Sequence, residues 1–402
     1  MATRALDLLV GKNLRRAPLP PARTLSCQLP QPTNGQGELS ERQPLEHATF
    51  LIVCLRYIGD VLLSTPLALS IKTHLPHAQV DYLVFKGTEE VLAKNPNVRR
   101  IHTLSPGSTG LGMMLQLWRR YDYALGTGWS DRTAAFSIAC GRQALGFRTL
   151  ARRDWWKQLL LRHCRMFDGR RHIVPLMLTQ LEPLGIPAIP RVVFDCNAGD
   201  LAFARRHLGE QPYVLLHPYS RRSFKYWPAS AWAGLAERIR SRTNLRAVFT
   251  RSPGQADEEQ FRRIEIAAGG TVDSLPQPFT LRQLAAAIQG SRAFVGIDTA
   301  ATHVAAAVGT PTIALYGPTP ASQWGPWPND WPDASPFAMK GKTQVWGSIT
   351  VVQQSWPCAP CSRETCFISQ RGKIECLENR PPEMVFAAIS KALGNDDSKG
   401  RP

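Results

Sequence analysis

The sequence predicts an α/β protein with two Rossmann-like domains facing each other. Three observations predict it. Short apolar runs alternate with longer helical stretches, the signature of βαβ units and a parallel sheet. The alternation pauses at Pro187-Ala188-Ile189-Pro190 and then begins again. The chain has 402 residues, which is long for one core and suits two domains.

In the first series, "FLIVCL" (50–55) reads as a buried strand, Val61 to His74 as a helix and Gln79 to Phe85 as the next strand. "EEVLAKN" opens a short helix, Tyr121 to Thr127 is a strand, and "DRTAAFSIAC" (131–140) is a helix. In the second, "YVLLHP" (213–218) is a strand and "ASAWAGLAERIRS" (229–241) a helix. "LRAVFT" (245–250) is a strand, and "DEEQFRRIEIAAG" (257–269) and "LRQLAAAIQG" (281–290) are helices. "AFVGI" (293–297) is a strand, "ATHVAAAVG" (301–309) a helix and "TPTIALYG" (310–317) a strand. Residues 1–47, rich in Pro, Gln, Arg and Ser, read as a disordered basic tail, the alternative being a short basic helix over "ATRALDLLVGKNLRR" on an anionic membrane. The expected domains are 48–188 and 189–380, with a C-terminal helix and tail at 381–402.

Charge is the unusual feature: 48 basic against 31 acidic residues, a net +17. It favours anionic partners and says nothing about fold. No apolar stretch is long enough to span a bilayer, and "LDLLV" near the start is too short for a signal-peptide core, so the expected location is cytoplasmic. Nine cysteines, an odd number, without a secretion signal argue against a disulfide framework.

In open parallel sheets, ligands bind beyond the carboxyl ends of the strands. Asp60 follows the first strand in "RYIGDVLLSTP". It either caps the helix starting near Val61 or takes a proton from a substrate hydroxyl. Gly59 permits a tight exit from the strand. After "YVLLHP" comes "YSRRSFKYWP", with Ser220 and Lys225. Lys225 is a point charge for a diphosphate or simply an exposed lysine. After "LRAVFT", the acidic run Asp257-Glu258-Glu259 suits a helix start or binds ribose hydroxyls. After "AFVGI" come Asp298, Thr299, Ala300, Ala301 and His303. Small residues at a helix start let a phosphate reach free N–H groups. Asp298 would repel phosphate, so it either holds a sugar hydroxyl or caps the helix.

Between 142 and 172, Arg142, Arg148, Arg152, Arg153, Lys157, Arg162, Arg165, Arg170 and Arg171 face only Asp154 and Asp168, with Trp155 and Trp156 interleaved. This belt is a surface for nucleic acid, for an acidic glycan, or a solvated face. Cys358, Cys361, Cys366 and Cys376 form either a structural zinc site or free thiols; no histidine accompanies them, which argues against a catalytic metal. There is no Walker A loop, no G-x-G-x-x-G after a strand, and no Asp-x-Asp pair for a sugar-nucleotide metal.

"LRYIGDVLLSTPLALSIKTHLP", "YDYALGTGWSDR", "FKYWP" and "FVGIDTAATHVAAAVGTPTIALYGPT", in this order, resemble the bacterial lipopolysaccharide heptosyltransferases, nearest the heptosyltransferase III branch. The resemblance covers roughly 49–392. It implies a GT-B glycosyltransferase fold: two Rossmann-like domains with the active site in the interdomain cleft, the front one binding acceptor and the back one nucleotide sugar. It implies an inverting, metal-independent transfer from ADP-heptose to the lipopolysaccharide inner core, without a cofactor, at the cytoplasmic face of the inner membrane as a peripheral protein. Asp60 matches the family's general base and Lys225 its phosphate-binding lysine. Glu258 matches a ribose-binding glutamate. Asp298, Thr299, Ala300, Ala301 and His303 match its donor-binding motif, with Ala300 where some members carry glycine or proline. On this resemblance Arg152 and Arg153 hold the acidic acceptor, and no nucleic acid is involved. The rival expectations are a GT-B transferase for another nucleotide sugar and a non-enzymatic nucleic-acid- or glycan-binding protein.

Overall fold

The computed structural model describes residues 45–329, 331, 335–366 and 374–396. The expected tail falls outside the described residues except for its last three positions, as does Cys27.

The front half forms a six-stranded sheet. Its elements are β1 (Thr49–Cys54), α1 (Ile58–Leu63), α2 (Thr65–His74), β2 (Gln79–Phe85), β3 (Arg100–Leu104), α3 (Leu111–Gln116), β4 (Tyr121–Gly126), α4 (Asp131–Cys140), β5 (Gly141–Arg148), α5 (Trp155–Leu160), β6 (His163–Met166) and α6 (Ile173–Leu178). The strand order is β3-β2-β1-β4-β5-β6, every pairing parallel. This is the doubly wound order, and its direction reverses between β1 and β4. β1 is buried on both faces after its first residue, which is why it reads as an unbroken apolar run rather than an alternation.

The back half comprises α7 (Ala198–Leu208), β7 (Tyr213–His217), α8 (Ala229–Arg242), β8 (Arg246–Phe249), α9 (Gln255–Ala268), α10 (Leu281–Gln289), β9 (Ala293–Ile297), α11 (Ala300–Ala307), β10 (Thr312–Leu315), α12 (Ala321–Trp324), β11 (Gln344–Trp346), β12 (Ile349–Val352), α13 (Glu375–Glu378) and α14 (Pro382–Asp396). Its sheet runs β11-β12-β10-β9-β7-β8. Only the β11–β12 pairing is antiparallel. A parallel bridge from Phe249 to Ser274 stands beyond β8 where a further strand would lie. Here the order reverses between β7 and β9.

The segment after Pro187 is built into the molecule. Ile189 N–H donates to Ser70 Oγ at 2.8 Å and Val193 N–H to Thr65 Oγ1 at 2.9 Å. Asn329 brackets Val192 with hydrogen bonds to its N–H and C=O. One buried apolar cluster accordingly includes residues of both halves, from Phe50 and Leu62 to Ala301, Val304 and Trp327.

Two details correct the expectations. The helix expected over Val61 to His74 is two helices that meet at Ser64, because Pro66 opens a new helix in its first turn, the position where a missing N–H costs nothing. The first of them starts at Ile58, three residues earlier than expected. Its N-cap position is Tyr57, with no side-chain cap, so Asp60 lies within the first turn and does not cap the helix.

Candidate functional site

The first switch point gathers Asp60 on α1, Thr127 and Trp129 just after β4, and Arg56 between β1 and α1. With Ile173, Met177 and Trp324 they line one pocket. Arg56 Nε donates to Asp60 Oδ1 at 2.6 Å. The guanidinium lies 4.9 Å from the Trp129 ring and 5.5 Å from that of Trp324. Both aromatic faces attract the cation, one from each half of the chain. The Asp60 carboxylate is thereby held from the side, with its second oxygen left out of this bond.

The Trp129 loop is anchored in turn by Lys157. Its ammonium, only 1% exposed, donates to Trp129 O at 2.6 Å and pairs with Asp154 at 2.9 Å and Asp131 at 2.8 Å. Burial raises the Asp154 pKa. The Thr149 N–H and hydroxyl and the Lys157 ammonium outweigh that, holding the carboxyl down at about 2. A buried charge with three partners in place is a scaffold element.

The second switch point gathers the loops after β7 and β9. Lys225 Nζ lies 2.6 Å from Asp298 Oδ2. Ser220 Oγ donates to Asp298 O at 3.4 Å. Thr299 occupies the N-cap position of α11 without a side-chain cap bond, and its carbonyl accepts the Thr302 N–H at 3.2 Å. The amides of Ala300 and Ala301 come before it, with only small side chains beside them, at the end of the helix where the backbone favours an anion. Tyr316 donates to Trp324 O at 2.7 Å. Burial and then the adjacent Asp298 carboxylate push its pKa far up, so it remains a phenol.

The two switch points meet at His303. Its side chain is buried, and its Nδ1 has no hydrogen-bond partner among the described residues. Burial lowers its pKa. The Asp298 and Asp60 carboxylates act against that, and Lys225 acts with it, so one ring feels the charges of both halves. α1 packs on α11 so closely that a Cβ on Gly59 would come 3.2 Å from His303 Cδ2. This corrects the role expected of Gly59. It lies within α1, and its missing side chain serves the approach of His303 rather than a tight exit from β1.

The acidic run sorts itself. Glu258 is exposed and accepts two bonds from Arg251, at 2.8 and 2.7 Å. Asp257 is engaged by Tyr226 at 2.9 Å, and Glu259 by Arg262 and Arg263 on its own helix. Arg152 and Arg153 are exposed on a short 3-10 turn leading into α5. They have no carboxylate partner among the described residues. They are not brought against Asp60 by any contact, although Lys157 ties the same segment to the Trp129 loop.

Cys358, Cys361, Cys366 and Cys376 line a common pocket. Burial, and then these neighbouring thiols, raise the Cys376 pKa to about 11, against the pull of Arg380. Among the described residues no group of three or more His, Cys, Asp or Glu is placed to hold a metal ion.

Sequence reasoning missed Arg56, Trp129, Trp324 and Tyr316. Arg56 had a signal: it stands four residues before Asp60 at a strand exit, the spacing of a helical ion pair. Trp324 had none, because its partner lies in the other half of the chain.

Two facing doubly wound sheets, with a site shared by both switch points, define a GT-B glycosyltransferase. Solved structures share this fold. E. coli ADP-heptose lipopolysaccharide heptosyltransferase II aligns with a TM-score of 0.62 at 19% identity, over 87% of this chain and 99% of that one. A glycosyl transferase family 9 protein from Veillonella parvula aligns at 0.66 and 16%, over 87% and 98%. Residues 119–332, just over half of the chain, match the family model of glycosyltransferase family 9 (heptosyltransferase), and the chain belongs to that family. It is 27% identical to E. coli lipopolysaccharide heptosyltransferase 3 over 299 residues, 69% of this chain and 85% of that one. It is 25% identical to Pseudomonas aeruginosa lipopolysaccharide heptosyltransferase 1 over 377 residues, 85% and 97%.

Proposed function

We propose that the protein transfers heptose from ADP-heptose to the inner core of lipopolysaccharide, with inversion and with Asp60 as general base. The observation that carries this reading is the convergence at His303 of a front-half carboxylate and a back-half pocket of lysine and free amides. Its relatives' names supply the sugar and the acceptor.

An acceptor hydroxyl near Asp60 attacks the anomeric carbon from the face opposite the diphosphate. The new C–O bond forms as the bond to the phosphate oxygen breaks. The bonding pair leaves with ADP, and the proton passes to the free oxygen of Asp60 while Arg56 fixes the other. Lys225 and the first-turn amides of α11 stabilise the charge growing on the diphosphate. Lys225 does so by exchanging its Asp298 contact for phosphate, which frees Asp298 for a sugar hydroxyl. Glu258, presented with Arg251, takes the ribose. Fixed protein charges do the work of a metal ion in this scheme. The acceptor domain is 48–188 and the donor domain 189–380. Arg152 and Arg153 meet acidic groups of the acceptor.

The test is Asp60→Ala with ADP-heptose and isolated core acceptor. The expected loss in kcat is about 10²–10⁴-fold, with ADP affinity by calorimetry unchanged. Transfer at the wild-type rate removes Asp60 as base. Tighter binding of UDP than of ADP removes the donor.

A further inference from the structure

We propose that the outer face of α5 and the loop before it form a docking surface for an anionic phospholipid bilayer. The inference rests on the reading above only for the location of the acceptor. Its observation is a set of large apolar side chains turned to solvent: Leu150 is 86% exposed, Trp155 65%, Leu159 71% and Leu160 58%. Trp155 and Leu159 are one helical turn apart and share a face. Trp155 and Leu159 thus form one apolar stripe left in water, and exposed apolar surface of this kind marks an interaction site.

Charge names the partner. Arg152 and Arg153 precede the helix and Arg162 follows it, all exposed and without a carboxylate partner among the described residues. Tryptophan and leucine ringed by arginine is the composition that settles at an anionic lipid interface. Each arginine near such a surface adds electrostatic attraction to it. A protein partner of the usual kind would need acidic residues around an apolar centre, whereas a bilayer offers phosphate and hydrocarbon together.

Position supplies the purpose. The inner side of α5 is Lys157, which donates to Trp129 O. The Trp129 ring lies over Arg56, and Arg56 holds Asp60. Lipid-side and base-side groups therefore belong to one anchored segment, three contacts from membrane face to carboxylate. An acceptor rooted in the bilayer would be met at the mouth of the cleft without leaving the membrane. α3 carries another exposed apolar stripe, Leu111 and Leu115 with Trp118 after it.

The experiment is vesicle flotation of the full-length protein, without donor or acceptor, on phosphatidylglycerol–phosphatidylcholine and on phosphatidylcholine alone. Binding is expected to the anionic vesicles and to be weaker on the neutral ones. The double variant Leu159→Glu, Leu160→Glu is expected to weaken anionic-vesicle partitioning at least about tenfold, and Arg162→Glu to weaken it less. Transfer to a soluble, delipidated core acceptor is expected to be unchanged in the double variant, which shows that it folds. Wild-type protein that ignores anionic vesicles overturns the proposal, as does a double variant that binds like wild type. Light scattering in which the double variant turns an oligomer into a monomer also overturns it, in favour of a second copy on this face. Altered partitioning with no heptose transfer by the wild-type protein leaves the docking surface standing and removes the proposed function.

Discussion

Lys157 and Lys225 are both lysines beside aspartates near the same cleft, and they are built differently. Lys157 is sealed in the front half, and its three donors are matched by Asp154, Asp131 and Trp129 O. Lys225 in the back half is 21% exposed and has one ionic partner among the described residues, Asp298. A saturated ammonium can only hold structure. One with donors to spare, at the mouth of a cleft and beside the free amides of a helix, is equipped to meet a ligand. The residue type and the nearby carboxylate are the same; the difference lies in how many of the donors the fold has already used.

Substitution tests that difference. Lys157→Met is expected to cost about 3–5 kcal/mol of stability, because it leaves Asp154 buried without its counter-charge. Urea unfolding measures it. A cost below about 1 kcal/mol would put Lys157 in the same class as Lys225. Lys225→Met is expected to lower kcat about 10²–10³-fold while costing only about 1–2 kcal/mol of stability. If the two effects were reversed, with stability lost and transfer kept, Lys225 would be scaffold.

A pH series extends the comparison to histidine. Burial lowers the His172 pKa to about 3 and the His217 pKa to about 4, from an ordinary 6.5. Both rings stay neutral in the folded protein at mildly acid pH, while the unfolded chain takes up protons below about 6.5. Their contribution is therefore full above that value and is lost as pH falls towards 4. Near pH 5 the slope approaches about 2.7 kcal/mol per pH unit for the pair. Unfolding midpoints between pH 7 and 5 check it, and His217→Gln should flatten the curve by about half.

Much of the fold was legible because buried strands such as β1, β7 and β9 are continuous apolar runs. β3, β5 and β6 were not. β3 is largely solvent-facing and β5 begins Gly-Arg-Gln, while β6 is four residues, "HCRM". Their pairing comes from neighbours rather than from their own composition. The belt read as one basic stretch is in fact β5, α5 and β6 in succession, and Lys157, counted among its surface charges, is the most buried of them. Asp60, Lys225 and Asp298 were legible because strand ends mark ligand sites in any doubly wound sheet. The arrangement around them was not. The Lys225–Asp298 pair, the Trp324 face over Arg56 and the seat of His303 against Gly59 all join residues far apart in sequence.

The seat of His303 has a mechanical consequence. With no side chain on Gly59, α1 and α11 touch almost backbone to ring, and on either side of that point lie Asp60 and the amides of Ala300 and Ala301. Any swing of the two lobes that preserves the contact has its fulcrum there. Near a fulcrum displacements are smallest, so the rim can open and close while Asp60 and these two amides keep their spacing.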